Sequence, residues 1–212
     1  MLAQRDQAIS VGASLRALAP PGVRTACRAI SADDWAQLDE AERRLVARAV
    51  PKRQHEFASG RAVLHELLAS PEPILADSRR APVWPAGTCG SLAHDDQYVV
   101  AAVSTDPRVA ALGIDVEPAT PLSADLAADI LRPDEGHVDA HLAFALKEAV
   151  YKAWSSLGGD MLEHHDVRLT IQGSLLVATV EGAQRRFRGR FAVVCGHIVA
   201  LVVVPQEVGT WS

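Results

Sequence analysis

The sequence predicts an α+β fold. Two long stretches carry apolar residues at helical spacing, one following Pro51 and one over "HLAFALKEAVYKAWSSLG". Short β-branched runs separated by tight turns occur as well, at "SLAH" and "YVVAAVS" in the first half and throughout the last fifty residues. Both kinds of segment appear in both halves, and neighbouring strands are joined by turns too short for a helical crossover. Antiparallel hairpins with packed helices satisfy that pattern better than an alternating parallel sheet.

In order along the chain, Pro20-Pro21-Gly22 closes a loose leader. Ser31 is placed to cap a helix whose first turn carries Asp33 and Asp34, where acids suit the positive end of the helix dipole. "DEAERRLVARAV" continues that helix to a break at Pro51, and Pro51 suits the first turn of the next one. There Phe57, Leu64 and Leu68 trace roughly one face, with Arg61 between them on the same side. "SPEP" stops the helix and "APVWPAGTCG" is turn-rich. "SLAH", "DDQ" and "YVVAAVS" make a strand, a turn and a strand, and "RVAALGIDVE" makes another strand. "PATPLS" is a loop, "ADLAADIL" and "HLAFALKEAVYKAWSSLG" are helices, and Gly158-Gly159 closes the second. "DVRLTIQGSLLVATVEG", "RRFRGRFAVVCG" and "HIVALVVVP" are strands with turns expected at Gln172-Gly173 and Gly196-His197. The tail "QEVGTWS" is expected to fray.

Composition narrows the functional classes. The chain has 212 residues, 49% of them hydrophobic, enough for a real core, and a net charge of −5. The negative charge argues against general nucleic-acid binding. No apolar run approaches the roughly 20 residues that span a bilayer, and the first thirty residues lack the basic start and apolar block of a secretory signal. Cys27, Cys89 and Cys195 lie far apart, form neither a metal-spaced cluster nor a disulfide framework, and point to a reducing cytoplasm.

Three fragments carry chemistry. In "GIDVEP" Asp115 and Glu117 are two apart on a strand, so their carboxylates share a face while Val116 points back to the core. Two acids that close repel unless a cation or donor sits between them. A hard divalent cation with phosphate ligands is one reading; a strand end with solvated acids is the other. In "FALKEAVYKAW" Glu148 and Lys152 share a helix face four residues apart, with Lys147 offset by one position. That spacing also describes an ordinary surface pair, but Phe144, Ala145, Ala149, Val150 and Trp154 make the helix apolar enough to bury. His94, ending a strand just before a turn, is suited to a phosphate or to a structural role.

Taken in this order, "WPAG…GSLAHDDQYVVAAVS", "GIDVEP" and "FALKEAVYKAW" resemble the 4′-phosphopantetheinyl transferase superfamily, of the surfactin-synthetase type and its enterobactin-synthetase branch. "AVPKRQHEFASGRAVLHELL" is similar to the opening helices of that branch. The resemblance implies transfer of the 4′-phosphopantetheine arm of coenzyme A to a serine of an apo acyl or peptidyl carrier protein, releasing adenosine 3′,5′-bisphosphate. It further implies a cytoplasmic monomer of two similar α/β halves related by a pseudo-twofold axis. Each half has a small antiparallel sheet with packed helices, and the cofactor cleft lies between them. The halves would be residues 1–107 and 108–212, with the seam near Thr105 to Arg108. Neither nucleic acid nor a membrane is an implied partner.

The resemblance also assigns residues. Asp115, Glu117 and Glu148 would hold Mg²⁺ on the coenzyme's pyrophosphate, and Lys152 would stabilise the departing phosphate. Glu148 is the candidate base for the carrier serine. His94, Lys52, Arg53 and Lys147 would contact the coenzyme's phosphates, and Arg61 its 3′-phosphate. The chain departs from the family pattern at Ala93, before the motif histidine, at Phe144 and Ala145, before the lysine, and at Ala81, where a phosphate-binding lysine is usual and Arg79 or Arg80 is the substitute. Arg186, Arg188 and Arg190 form either a solvated sheet face or a docking surface for an acidic carrier. The same acidic cluster would also serve a metal-dependent phosphohydrolase acting on a small phosphoanhydride, and the fold a coenzyme-A-binding module without catalysis.

Overall fold

The computed structural model describes residues 2–77, 80–183 and 185–206. The expected leader is in fact helix α1 (Leu2–Leu18). Ala8, Val11, Leu15 and Leu18 recur at spacings of three and four and are buried; this period outweighs the charges scattered between them. A strand not foreseen from the sequence, β1 (Val23–Ala29), follows at once.

The single helix expected from Ser31 to Val50 is divided. Ser31 does cap a turn through its hydroxyl, but the turn is a tight 3-10 segment, Ala32–Gln37. Asp39 then starts α2 (Glu40–Leu45) afresh, in a reciprocal cap with Glu42. A second cap so soon interrupts the first helix, because the side-chain oxygen competes with the helical carbonyl for the same backbone N–H groups. α3 (Pro51–Leu68) begins at the proline as expected and buries Phe57, Arg61 and Leu64.

β2 (Cys89–His94) and β3 (Tyr98–Ser104) form the expected hairpin. β1 pairs with the other edge of β3, giving an antiparallel sheet ordered β1-β3-β2. β4 (Val109–Pro118), α4 (Ala124–Ile130) and α5 (Ala140–Ser156) follow, then β5 (Val167–Gln172), β6 (Leu175–Val180), β7 (Arg186–Val194) and β8 (His197–Pro205). The second sheet is ordered β4-β8-β7-β6-β5 and is antiparallel throughout. Two of its turns fall one residue from their expected places, at Gly173-Ser174 and Cys195-Gly196. In the second, both central residues have positive φ, 51° at Cys195 and 74° at Gly196, as a tight hairpin twisted to match its strands requires. The chain is thus α+β in two halves, each with its own antiparallel sheet and helices.

β4 is the wall between them. Leu112, Ile114 and Val116 face the first half and share an apolar cluster with Val11, Leu15, Val100 and Ala102. The alternate residues Gly113, Asp115 and Glu117 face the other way. The backbone N–H of Ile114 donates to Ser91 Oγ at 3.0 Å, joining β4 to β2 across the seam. Nearby, buried Asp95 meets His197 Nε2 at 3.1 Å, tying the β2–β3 turn to the β7–β8 turn. No described helix is long and apolar enough to cross a membrane. The three cysteines are unpaired, and burial pushes the Cys27 thiol up to about 12, leaving it inert. The tail beyond residue 206, expected to fray, lies outside the described residues.

Candidate active site

Gly113 decides how closely α5 approaches β4. A Cβ there would stand 1.8 Å from the carbonyl oxygen of Ala149 and 2.9 Å from the backbone nitrogen of Ala153. Only glycine lets the helix lie flat on the strand at this point, and that contact brings Lys152 to Asp115. Lys152 Nζ donates to Asp115 Oδ1 at 2.5 Å. Asp115 is 3% exposed, and its second oxygen, Oδ2, is buried without a hydrogen-bond partner. Burial pushes the carboxyl up to about 7, Glu117 and Glu148 add to the rise by repulsion, and Lys152 opposes it.

Lys152 lines a cleft of about 380 Å³ between the two halves. The opposite wall carries Arg53, from the first turn of α3, and His94, from the end of β2. Arg53 Nη1 lies 2.8 Å from His94 Nε2, which accepts, while His94 Nδ1 donates to the carbonyl of Asp95 at 3.3 Å. Glu56 backs this pair, accepting from Arg53 at 3.2 Å and standing 3.6 Å from His94 Nε2. Arg80, Ala81, Pro82 and Trp84 close one side. Arg80 therefore stands at the cleft where the usual lysine is missing; Arg79 lies outside the described residues. Cationic groups from both halves face one hollow, which suits a polyanion.

Other expected residues are placed differently. Lys52 is exposed, and its ammonium is turned to Asp96 at 2.6 Å. Lys147 does not join the site. It is 1% exposed and donates to Glu135 at 2.6 Å and to the carbonyl of Ile130 at 2.8 Å. One position along a helix is a rotation of about 100°, which carries Lys147 from the Glu148 side into the core. Arg61 is 2% exposed and is absent from the cleft lining. Its guanidinium lies 4.3 Å from the centre of the Phe57 ring and 3.8 Å from buried Glu42, and burial lowers its pKa to about 10. The expected packing of its stem is present, and the head group is packed as well, away from the cleft that Lys152 and Arg53 line.

The three acids do not close on one point. Among the described residues, no three carboxylate, imidazole or thiolate side chains form a group able to hold a metal ion. Each acid has a basic side chain of its own instead: Lys152 at Asp115, His141 Nε2 at 3.5 Å from Glu117, and His164 Nε2 at 3.5 Å from Glu148. Neither histidine was singled out from the sequence, because each lies more than fifteen residues from its acid. Glu56 was legible, since it sits three and four residues after Arg53 and Lys52 on one helix. The all-oxygen donors and the orphaned Oδ2 of Asp115 fit a hard cation that takes one or two carboxylates and draws its remaining ligands from phosphate and water.

The 4′-phosphopantetheinyl transferase N-terminal domain family matches residues 41–104. The chain is 38% identical over 191 residues to the 4′-phosphopantetheinyl transferase of Streptomyces mobaraensis, covering 78% of each chain. It is 31% identical over 189 residues to that of Mycobacterium tuberculosis, covering 76% of this chain and 83% of the relative. To enterobactin synthase component D of Salmonella typhimurium it is 32% identical over 120 residues, 49% of each chain. The motif order in the sequence and the similarity along most of its length agree, and the chain belongs to the 4′-phosphopantetheinyl transferase family of enzymes.

Proposed function

We propose that this chain transfers the 4′-phosphopantetheine arm of coenzyme A to a serine hydroxyl of an apo carrier protein and releases adenosine 3′,5′-bisphosphate. The observation that carries the reading is the cleft itself, with Lys152 held by Asp115 on one wall and Arg53 with His94 on the other. Residues 1–107 and 108–212 are taken as its two sides, and the chain as a cytoplasmic monomer.

In the reaction the serine oxygen forms a bond to the phosphorus on the pantetheine side of the pyrophosphate. The bond from that phosphorus to the bridging oxygen breaks, and the electron pair leaves with the adenosine bisphosphate. Arg53 and Arg80 would bind the coenzyme's phosphates and set their direction, with His94 accepting from Arg53 and fixing it at the cleft. Lys152, fixed by its bond to Asp115, would stand where negative charge grows on the leaving phosphate; a preorganised cation stabilises that charge without reorganising. Glu148, half-buried beside His164, would take the serine proton. Asp115, Glu117 and Glu148 are the residues that would hold Mg²⁺, which when bound neutralises pyrophosphate charge.

The test is intact-mass analysis of a panel of apo carriers after incubation with coenzyme A and Mg²⁺. A gain of one phosphopantetheine on a serine, nearly abolished in Asp115→Ala and Glu148→Ala, is the expected result. Cleavage of coenzyme A without any carrier would identify a phosphohydrolase instead, and binding without transfer to any carrier would overturn the enzymatic reading.

A further inference from the structure

His141 stands at the start of α5 and is 7% exposed. Its Nδ1 lies 2.6 Å from the carbonyl oxygen of Thr120. A carbonyl can only accept, so Nδ1 carries a hydrogen. That bond fixes the rotation of the ring and aims Nε2 at Glu117 Oε2, 3.5 Å away, a contact that holds the carboxylate when one proton lies between the two groups. The Phe144 ring, one turn along the helix, packs at 6.2 Å between centres and limits the imidazole from the side. Thr120 belongs to the loop leaving β4. One imidazole therefore joins the strand end that carries Asp115 and Glu117 to the helix that carries Glu148 and Lys152.

Glu117 needs such a support. It lies one residue from the end of β4, is only half-buried, and has three rotatable side-chain bonds. Lys152 pairs with Asp115 at 2.5 Å, and the ion pair described for Glu117 is the one with His141. His164 faces Glu148 at the same 3.5 Å, but its side chain is 32% exposed and sits on the short turn His164–Asp166; among the described residues its ring packs on Phe144 at 5.4 Å but makes no hydrogen bond to a backbone carbonyl like that of His141 to Thr120.

We propose that His141 is the positioning residue for Glu117. It holds that carboxylate in place at the end of β4 before any ligand arrives, and itself touches neither coenzyme nor carrier. This rests on the reading of the site given above, with Glu117 among the oxygens offered to Mg²⁺. Partners of this kind, one step removed from a metal, typically change metal affinity 10- to 100-fold.

The test uses three variants of the full chain. His141→Asn keeps a donor where Nδ1 stood but loses the arm toward Glu117. His141→Gln sends an amide out to the Nε2 position. His141→Ala keeps neither. Two readouts are taken: the melting temperature with neither ligand, with Mg²⁺ alone, with coenzyme A alone and with both, and the Mg²⁺ concentration giving half-maximal transfer to an apo carrier. Expected for His141→Asn is a melting temperature close to wild type without ligands, loss of most of the joint shift, and about tenfold or more Mg²⁺ for half-maximal transfer. His141→Gln recovers most of both. In a Glu117→Gln background, His141→Asn adds less than about twofold, because a residue acting only through Glu117 has nothing left to position.

Wild-type behaviour of His141→Asn in both readouts overturns the proposal. So does an equal loss in the Glu117→Gln background, or a ligand-free destabilisation shared equally by all three variants. If the wild-type chain shows neither transfer nor a joint shift, the underlying reading fails and this proposal fails with it. A competent wild type beside an unaffected His141→Asn refutes the proposal alone.

Discussion

Gly113→Ala tests whether the contact between β4 and α5 builds the site. The new Cβ would lie 1.8 Å from Ala149 O and 2.9 Å from both Ala149 C and Ala153 N, all backbone atoms that no rotamer change can move. Relief to an ordinary contact of 3.4 Å requires strand and helix to part by about 1.6 Å. The pair between Asp115 and Lys152, 2.5 Å long, spans that same gap and would be drawn out of hydrogen-bond range. Overpacking of this kind costs about 3 kcal/mol, or a fall of roughly 6–12 °C in melting temperature for a chain of this size. Misplacement of a reacting group by about 1 Å can cost on the order of 100-fold in rate. Gly136→Ala is the control, since a Cβ there meets nothing within 4 Å. The assays are thermal unfolding and the initial rate of phosphopantetheine transfer. A Gly113→Ala chain melting within about 2 °C of wild type and transferring within about threefold of it would refute the argument that this glycine sets the geometry.

Removing Lys147 should unfold rather than disarm the enzyme. Lys147→Ala leaves Glu135, 2% exposed, as an uncompensated buried charge and should cost about 3–5 kcal/mol, with the coenzyme A concentration for half-maximal rate unchanged. A weakened affinity at wild-type stability would restore the phosphate role expected from the sequence. Arg61→Ala should likewise lower the melting temperature and weaken coenzyme A and 3′-dephospho-coenzyme A equally; a loss confined to coenzyme A would mean that the arginine reaches the 3′-phosphate. Asp115 sets a pH dependence. Burial raises its pKa to about 7, so folding favours the protonated form, and that stability is complete below about pH 4 and lost as pH rises through about 7. Asp115→Asn cannot ionise, so the ligand-free wild type should lose ground against it across that window, by up to about 4 kcal/mol, and run parallel above about pH 8. Parallel unfolding curves from pH 4 to 8 would show that Asp115 stays ionised throughout.

The sequence by itself determined the strands after β1, the later helices and the order of the motifs. These depend on local periodicity: alternation places Asp115 and Glu117 on the face opposite Val116, and four-residue spacing places Glu148 and Lys152 together. The family resemblance was legible for the same reason, since its motifs are short and ordered. Local features misled where a longer-range contact took over. α1 was hidden because charges separate its apolar residues, and only packing against β1 and the second sheet makes their spacing count. The expected first helix was divided by a cap that sequence allows at either Ser31 or Asp39.

Beyond the local Arg53–Glu56 pair, charge pairing at the site was decided by tertiary structure. A cation's role depends on which acid lies nearest in space, and the partners here are distant in sequence: Lys152 with Asp115, Lys147 with Glu135, Arg61 with Glu42, His141 with Glu117. Of the residues proposed for phosphate, the fold turned Arg53, His94 and Lys152 to the cleft, sent Lys52 to Asp96, and buried Lys147 and Arg61. The physical reason is burial. A charge in the core must be paired there, because desolvation costs more than a surface contact returns. Which charges enter the core is settled only when the sheets and helices close around them.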